Sequence, residues 1–186
     1  MMTEALEERR EYYRIDDRIA LEILPADSPA AAPSPLFALL AELHQLEAEA
    51  QPLLRQLGDR NRTLANYLKL QNRRIDLLGQ ALAQELLHDV GTPQPVILSE
   101  GGLRFDHGQA LEPGRGLVLK MVLLPQALGL QIKARVLYCN ARDDGQFDIG
   151  TEFEELSDPQ RQLLARHILQ KQALERRLAR NSPQGA

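Results

Sequence analysis

The sequence predicts a small antiparallel β-barrel, interrupted by a leucine-rich helical insertion and followed by a C-terminal helix. Three observations lead there. Apolar and polar residues alternate in short stretches near the N-terminus and again after residue 90, the period-two pattern of half-buried strands. Between those stretches leucines recur at spacings of three and four, the pattern of helices that pack on helices. Nine of the 12 glycines fall in residues 91–154, where short strands need turns.

Composition narrows the class. At 186 residues and 44% hydrophobic, the chain has enough apolar content for one packed domain with an insertion. Lys+Arg 22 against Asp+Glu 26 leaves a net charge of −4, which argues against a nucleic-acid binder. A single cysteine excludes a disulfide framework, and no spaced Cys/His set suggests a metal site. Glu7, Glu8, Arg9, Arg10 and Glu11 near the start argue against a signal peptide. No apolar run reaches the roughly 18–20 residues of a membrane span. A cytoplasmic protein without a membrane span is expected.

In chain order, Ile19, Leu21 and Ile23 alternate with Arg18, Ala20 and Glu22, so residues 18–24 read as the first strand. Four of the 11 prolines then fall within residues 25–35, which read as a linker. Residues 36–90 form the helical insertion. One heptad seam runs through Leu43, Leu46, Leu53 and Leu57; another, offset in phase, runs through Leu64, Leu68, Ile75, Leu78 and Leu82. Near Gly58-Asp59-Arg60-Asn61 the offset is either a stutter in one long helix or a turn that makes a helical hairpin. Pro52 costs roughly 3 kcal/mol in a helix interior, so a break just before it is expected, with a short helix before and a long one over about 52–89. Kept straight, two seams over some 50 residues would extend roughly 80 Å, and self-association is expected unless the helices fold back at Gly58. Arg60, Gln71, Arg74 and Glu85 sit at or near seam positions and suit a register-setting role.

Residues 91–156 return to strands: Leu103 and Phe105, then Leu117 to Leu123, Leu130 to Tyr138, and Phe147 to Phe153 after the turn at Asp143-Asp144-Gly145. Asp158 as a capping acid and Pro159 at the first helical position start a C-terminal helix over 157–180, with Leu163, Leu164, His167, Ile168, Leu174 and Leu178 along its apolar face. Residues 181–186 read as a disordered tail. An isolated first strand has no partner for its backbone, so residues 1–24 belong with the later strands and the helices are inserted into one barrel.

Several residues carry a resemblance. Arg9-Arg10-Glu11-Tyr12-Tyr13-Arg14-Ile15 resembles the lead-in of a PilZ domain, and Leu98-Ser99-Glu100-Gly101-Gly102-Leu103-Arg104-Phe105 resembles its second motif. Ile149-Gly150-Thr151-Glu152-Phe153, with the helix after it, resembles the closing strand and helix. The similarity covers residues 8–24 and 94–176, and the insertion is similar to an atypical, tetrameric branch with long inserted helices. The resemblance implies a six-stranded barrel, a non-catalytic signalling role and cyclic di-GMP as ligand. Arg10 and Arg14, with Arg9 beside them, would meet its phosphates and stack on guanine, as forked planar guanidinium groups can. Ser99 and Gly102 would offer a hydroxyl and a close backbone approach. Ile97 departs from the motif, standing where the family carries Asp or Asn, and leaves a polar ligand edge without a partner.

Plainer readings stand beside these. Glu7, Glu8, Asp16 and Asp17 could pair the lead-in arginines as a solvated segment. Ser99 to Gly102 could be only a turn between strands. Cys139 reads as a small buried apolar residue. His44, His88, His107 and His167 lack metal-ligand spacing. The basic C-terminal helix reads as a solvated face. No nucleophile elbow or phosphate-cradling loop points to an enzyme, and no cofactor is expected. The alternative to a cyclic di-GMP receptor is an oligomeric scaffold that has lost nucleotide binding and acts through an unknown protein partner.

Overall fold

The computed structural model describes residues 13–181. Six antiparallel strands close into a barrel in the order β1-β2-β3-β6-β5-β4. They are β1 (Ile15–Pro25), β2 (Gln94–Leu98), β3 (Gly102–His107), β4 (Gly116–Leu123), β5 (Leu128–Ala141) and β6 (Phe147–Glu154). Two long helices, α1 (Pro35–Arg60) and α2 (Arg62–Val90), interrupt the barrel between β1 and β2, and α3 (Asp158–Asn181) follows β6. The predicted barrel, inserted helices and C-terminal helix are therefore present. The tail expected over 181–186 lies outside the described residues apart from Asn181, which ends α3. By compactness the described chain divides into one unit of residues 13–18, 95–117 and 132–181, and another of residues 19–94 and 118–131.

In the first unit, strand alternation sets two faces. Leu103 and Phe105 on β3 and Ile149 and Thr151 on β6 are buried, while Arg104 and Asp106 point to solvent. β5 pairs with β6 through Val136↔Thr151 and Tyr138↔Gly150, a register shift that leaves Leu137 as an extra, exposed residue. α3 starts on a reciprocal cap. Ser157 Oγ accepts from Gln160 N at 3.3 Å, and Gln160 Oε1 accepts from Ser157 N at 3.0 Å. The cap is therefore Ser157, with Asp158 already in the first turn. Leu163, Leu164, His167 and Ile168 are buried as expected, whereas Leu174 and Leu178 are exposed.

In the second unit the proline-rich linker is fastened by one side chain. Gln131 Nε2 donates to Ala31 O at 3.1 Å and Ala32 O at 2.9 Å, and its Oε1 accepts from Ser34 N at 2.9 Å. These bonds satisfy backbone groups that no strand or helix pairs.

The break expected before Pro52 falls elsewhere. α1 runs through Pro52. Pro52 and Ala48 are both exposed, so the ring and the carbonyl it leaves unpaired can face water. The chain instead turns at Asn61, whose backbone is extended (φ −146°, ψ 91°). Asn61 N donates to Leu57 O at 2.8 Å, closing α1, and its side chain accepts from Leu64 N at 3.1 Å, capping α2. One residue serves both helix ends. A Cβ at Gly58 would lie 3.9 Å from Ala65 Cβ, and one at Gly79 would lie 3.1 Å from Leu43 Cδ2. Pairs stepping outward from Asn61 in this way define an antiparallel hairpin, so the straight rod does not form. Its base is a buried cluster of Phe37, Leu40, Ala83, Leu86 and Val90 with Ala20, Val122 and Ala127.

Candidate functional site

The second motif is a tight β2–β3 turn. Ser99 N donates to Gly102 O at 3.0 Å, and Ser99 Oγ accepts from Gly102 N at 3.1 Å. A Cβ at Gly102 would fall 2.2 Å from Thr151 O, a backbone atom of the neighbouring strand. Ser99 and Gly102 are thus each required by the turn and by strand spacing, whatever else they do.

From this turn a row of residues crosses four strands. Ile97 pairs with Arg104, Arg104 with Gly150, and Gly150 with Tyr138. A Cβ at Gly150 would come within 2.1 Å of the Tyr138 ring, so the ring lies over the glycine, flat on the sheet. Arg104 is held by Asp148 as a two-pronged fork, Nε to Oδ1 at 2.7 Å and Nη2 to Oδ2 at 2.9 Å. The bond to Asp148 pushes the Arg104 guanidinium above its ordinary range. Burial pushes the Tyr138 phenol up and Asp148 adds to that, while Arg104 and Arg14 pull the other way. Arg14 is therefore close enough for its charge to act on this row. Of the lead-in residues the sequence singled out, Arg14 is the one whose charge reaches Tyr138. Arg9 and Arg10 lie outside the described residues.

Carboxylates neutralise the other cations of this face. Arg135 meets Glu152 at 3.3 Å and Glu154 at 3.5 Å, Lys133 meets Glu155 at 2.7 Å, and Arg142 meets Asp106 and Asp144. These pairs are mostly exposed and contribute little to stability, so a phosphate could exchange for a carboxylate at modest cost.

A buried polar cluster, unread in the sequence, lies just downstream of Arg14. Asp17 Oδ2 accepts from His167 Nε2 at 2.6 Å, and its Oδ1 accepts from Lys171 Nζ at 2.8 Å and from Arg18 N at 2.8 Å. His167 is 1% exposed. Burial would raise the Asp17 carboxyl, but the bonds from His167 and Lys171 outweigh it and hold the group below its ordinary range. Asp17 thus serves α3, and Lys171 belongs to this cluster and not to a solvated face. The only available signal was an aspartate at an inward-facing strand position. Cys139 is half-buried. Among the described residues, no three His, Cys, Asp or Glu side chains gather as a metal set.

The seam residues divide. Leu43, Leu57 and Leu68 are half-buried in the hairpin. Leu46, Leu53, Leu64, Ile75, Leu78 and Leu82 are exposed, Leu78 by 68%. Among the described residues, no helix is long and apolar enough to cross a membrane.

Residues 90–170 match the family model described as PilZ domain; β1 and the α1–α2 hairpin lie outside the match. No curated protein matches the chain. Among solved structures, the fold is similar to that of a pathogenic protein from Xanthomonas campestris, described as a new tetrameric PilZ domain self-assembled via an unusual helical bundle. The identity is 24% over 91% of this chain and 89% of that chain, with a TM-score of 0.53. The Bacillus subtilis inhibitor of motility, MotI/DgrA, also matches, at 18% identity over 44% of this chain and 43% of that chain, with a TM-score of 0.37.

Proposed function

We propose, from the premise that residues 90–170 form a PilZ domain, that the protein is a non-catalytic signalling adaptor of the cytoplasm that self-associates through its helical hairpin and takes cyclic di-GMP as its input. The observation that carries the reading is the hairpin surface. Ten of the fifteen exposed large apolar side chains among the described residues sit on α1 and α2. A contiguous apolar surface of this kind marks a protein interface. A helical bundle assembles the Xanthomonas protein, and the same use of the insertion is proposed here.

The input side rests on Arg14 beside the row of Ile97, Arg104 and Tyr138. Arg10 and Arg14 would take the phosphates, with Arg9 beside them and the Ser99–Gly102 turn under the ligand. An assembled receptor of this kind passes its signal to a protein effector.

Calorimetric titration with cyclic di-GMP, run with a light-scattering mass, tests both sides. Saturable binding that is lost in Arg10→Ala with Arg14→Ala supports the input; binding unchanged in that double variant overturns it. A compact monomer at micromolar concentration overturns self-association.

A second reading is an oligomeric scaffold that no longer binds nucleotide. Three observations favour it: Ile97 has no polar group to offer, the Ser99 hydroxyl is engaged inside its turn, and Arg104 is already forked onto Asp148. No binding in the wild type, with binding gained in Ile97→Asp, selects this reading.

A further inference from the structure

We propose that His44, Glu47 and Asp76 form a proton-operated clasp at the middle of the α1–α2 hairpin, which tightens the arm as the solution turns mildly acidic and loosens it above neutrality. The clasp belongs to the hairpin itself and does not depend on what the hairpin binds.

The register of the two helices comes first. Gly58 against Ala65 and Gly79 against Leu43 fix which residues meet. One turn from Leu43 toward the tip of α1 stands Glu47, and one turn from Gly79 toward the tip of α2 stands Asp76. The two carboxylates therefore face each other across the antiparallel pair, in a layer where packed helices ordinarily bury apolar side chains. The layers on either side keep that rule. Toward the base stand Leu43 and Gly79, then the buried Leu40, Ala83 and Leu86; toward the tip stand the buried Leu54 and Ala65. His44 completes the polar layer. Its Nδ1 lies 3.5 Å from Glu47 Oε2, and its side chain is only 13% exposed.

Electrostatics ties the three groups together. The Asp76 carboxyl is held above its ordinary 3.8 by burial first and by the Glu47 charge second, while His44 pulls the other way. Two facing carboxylates repel when both are ionised, and the neighbouring imidazole supplies the offsetting charge once it is protonated. The other charges nearby do not take its place. From Leu43 to Gln51, α1 carries no Lys or Arg, and its Glu42 and Glu49 are exposed. On α2, Arg73 is exposed and Arg74 is bonded to Gln71 at 3.1 Å. The cluster at the base of the hairpin is apolar.

The sign follows. A carboxyl raised in the folded chain contributes its stability in full below the ordinary value, and that contribution is lost as pH rises through the folded value. For Asp76 the window lies above 3.8. Protonation of His44 adds attraction to both carboxylates in the range where imidazole ordinarily titrates, near about 6.5. Both effects act in one direction, so closing the hairpin takes up protons. Exposed Leu46 and Ile75 adjoin Glu47 and Asp76 in the chain, so the same layer sets the spacing of apolar side chains that the arm presents.

Urea unfolding of the full chain at one protein concentration, at about pH 8, 6 and 4.5, tests this. At pH 8, Asp76→Asn is expected to raise the folding constant about two- to threefold, because it removes a like-charge contact. Glu47→Gln is expected to do the same. Between pH 8 and 4.5 the wild type should gain about threefold or more in that constant relative to the double variant Glu47→Gln with Asp76→Asn. His44→Gln should remove the part of the gain that falls between pH 8 and 6, and a gain unchanged there overturns the histidine's part. If either single variant is no more stable than the wild type at pH 8, or if the double variant keeps the wild-type pH response, the clasp is overturned.

Discussion

The outer face of β3, β6 and β5 and the outer face of the α1–α2 hairpin are both open to solvent, and their chemistry is opposite. On the sheet, Arg104, Lys133, Arg135 and Arg142 each meet a carboxylate of a neighbouring strand or turn. On the hairpin, leucines recur with heptad spacing and many of them are left exposed. The charged face is satisfied in the single chain, and a ligand must displace what is already there. The apolar face gains only by association, because each leucine contributes about 1.5–3 kcal/mol when removed from water. The two regions therefore answer to different measurements: the sheet to stability and ligand competition, the hairpin to mass.

The largest expected effect lies at the buried polar cluster between β1 and α3. Asp17→Ala strands a buried His167 and its neighbour Lys171, and should cost about 3–5 kcal/mol in urea unfolding. A loss under about 1 kcal/mol would show that α3 is held by its leucines alone. The pH dependence has a definite sign. The Asp17 carboxyl is depressed in the folded chain, so its stabilisation is complete above the ordinary value of 3.8 and is lost as pH falls through the lower folded value. Asp17→Asn should flatten that acid limb of the stability profile.

Next comes Gly102→Ala, where the added Cβ meets the backbone at Thr151 O. It should cost about 1–3 kcal/mol in the same unfolding experiment, and a neutral result would mean the β3–β6 spacing yields easily. On the hairpin, Leu46→Glu with Leu78→Glu should move the unfolding energy of a dilute single chain by no more than about 0.5 kcal/mol while lowering the assembled mass. A large loss of monomer stability there would mean those leucines are packed within the chain. The remaining test is Arg135→Ala. Its pairs with Glu152 and Glu154 are about half exposed, so the change should stay under about 1 kcal/mol and shrink further in salt.

Legibility in the sequence followed range. Period two and period 3.5 are local, so five of the six strands, the inserted helices and the C-terminal helix could be read from spacing alone, whereas the short β2 carries no alternation that marks it. The turn at Asn61 could not be placed so firmly. The offset between two heptad stripes is the same whether the helix stutters or folds back, and Pro52 looked like the stronger breaker. Pro52 proved harmless because its missing hydrogen bond faces water, while Asn61 could close one helix and cap the next. For the candidate site, Arg14, Ser99 and Gly102 were legible as a motif. Arg104, Asp148 and Tyr138 were not, because a row across strands joins residues that lie far apart in the chain.

The sequence by itself determined the alphabet of this protein: a barrel of short strands, a leucine-rich insertion, a capped C-terminal helix, and the residue types of the lead-in and turn. The tertiary structure alone decided which leucines remained outside once the hairpin closed, and which charges met across strands. It also decided that Asp17 would be buried against His167, 150 positions away. The physical reason is the same in each case. Periodicity fixes which way a side chain points from its own element, and only the packing of elements against one another fixes what it meets there.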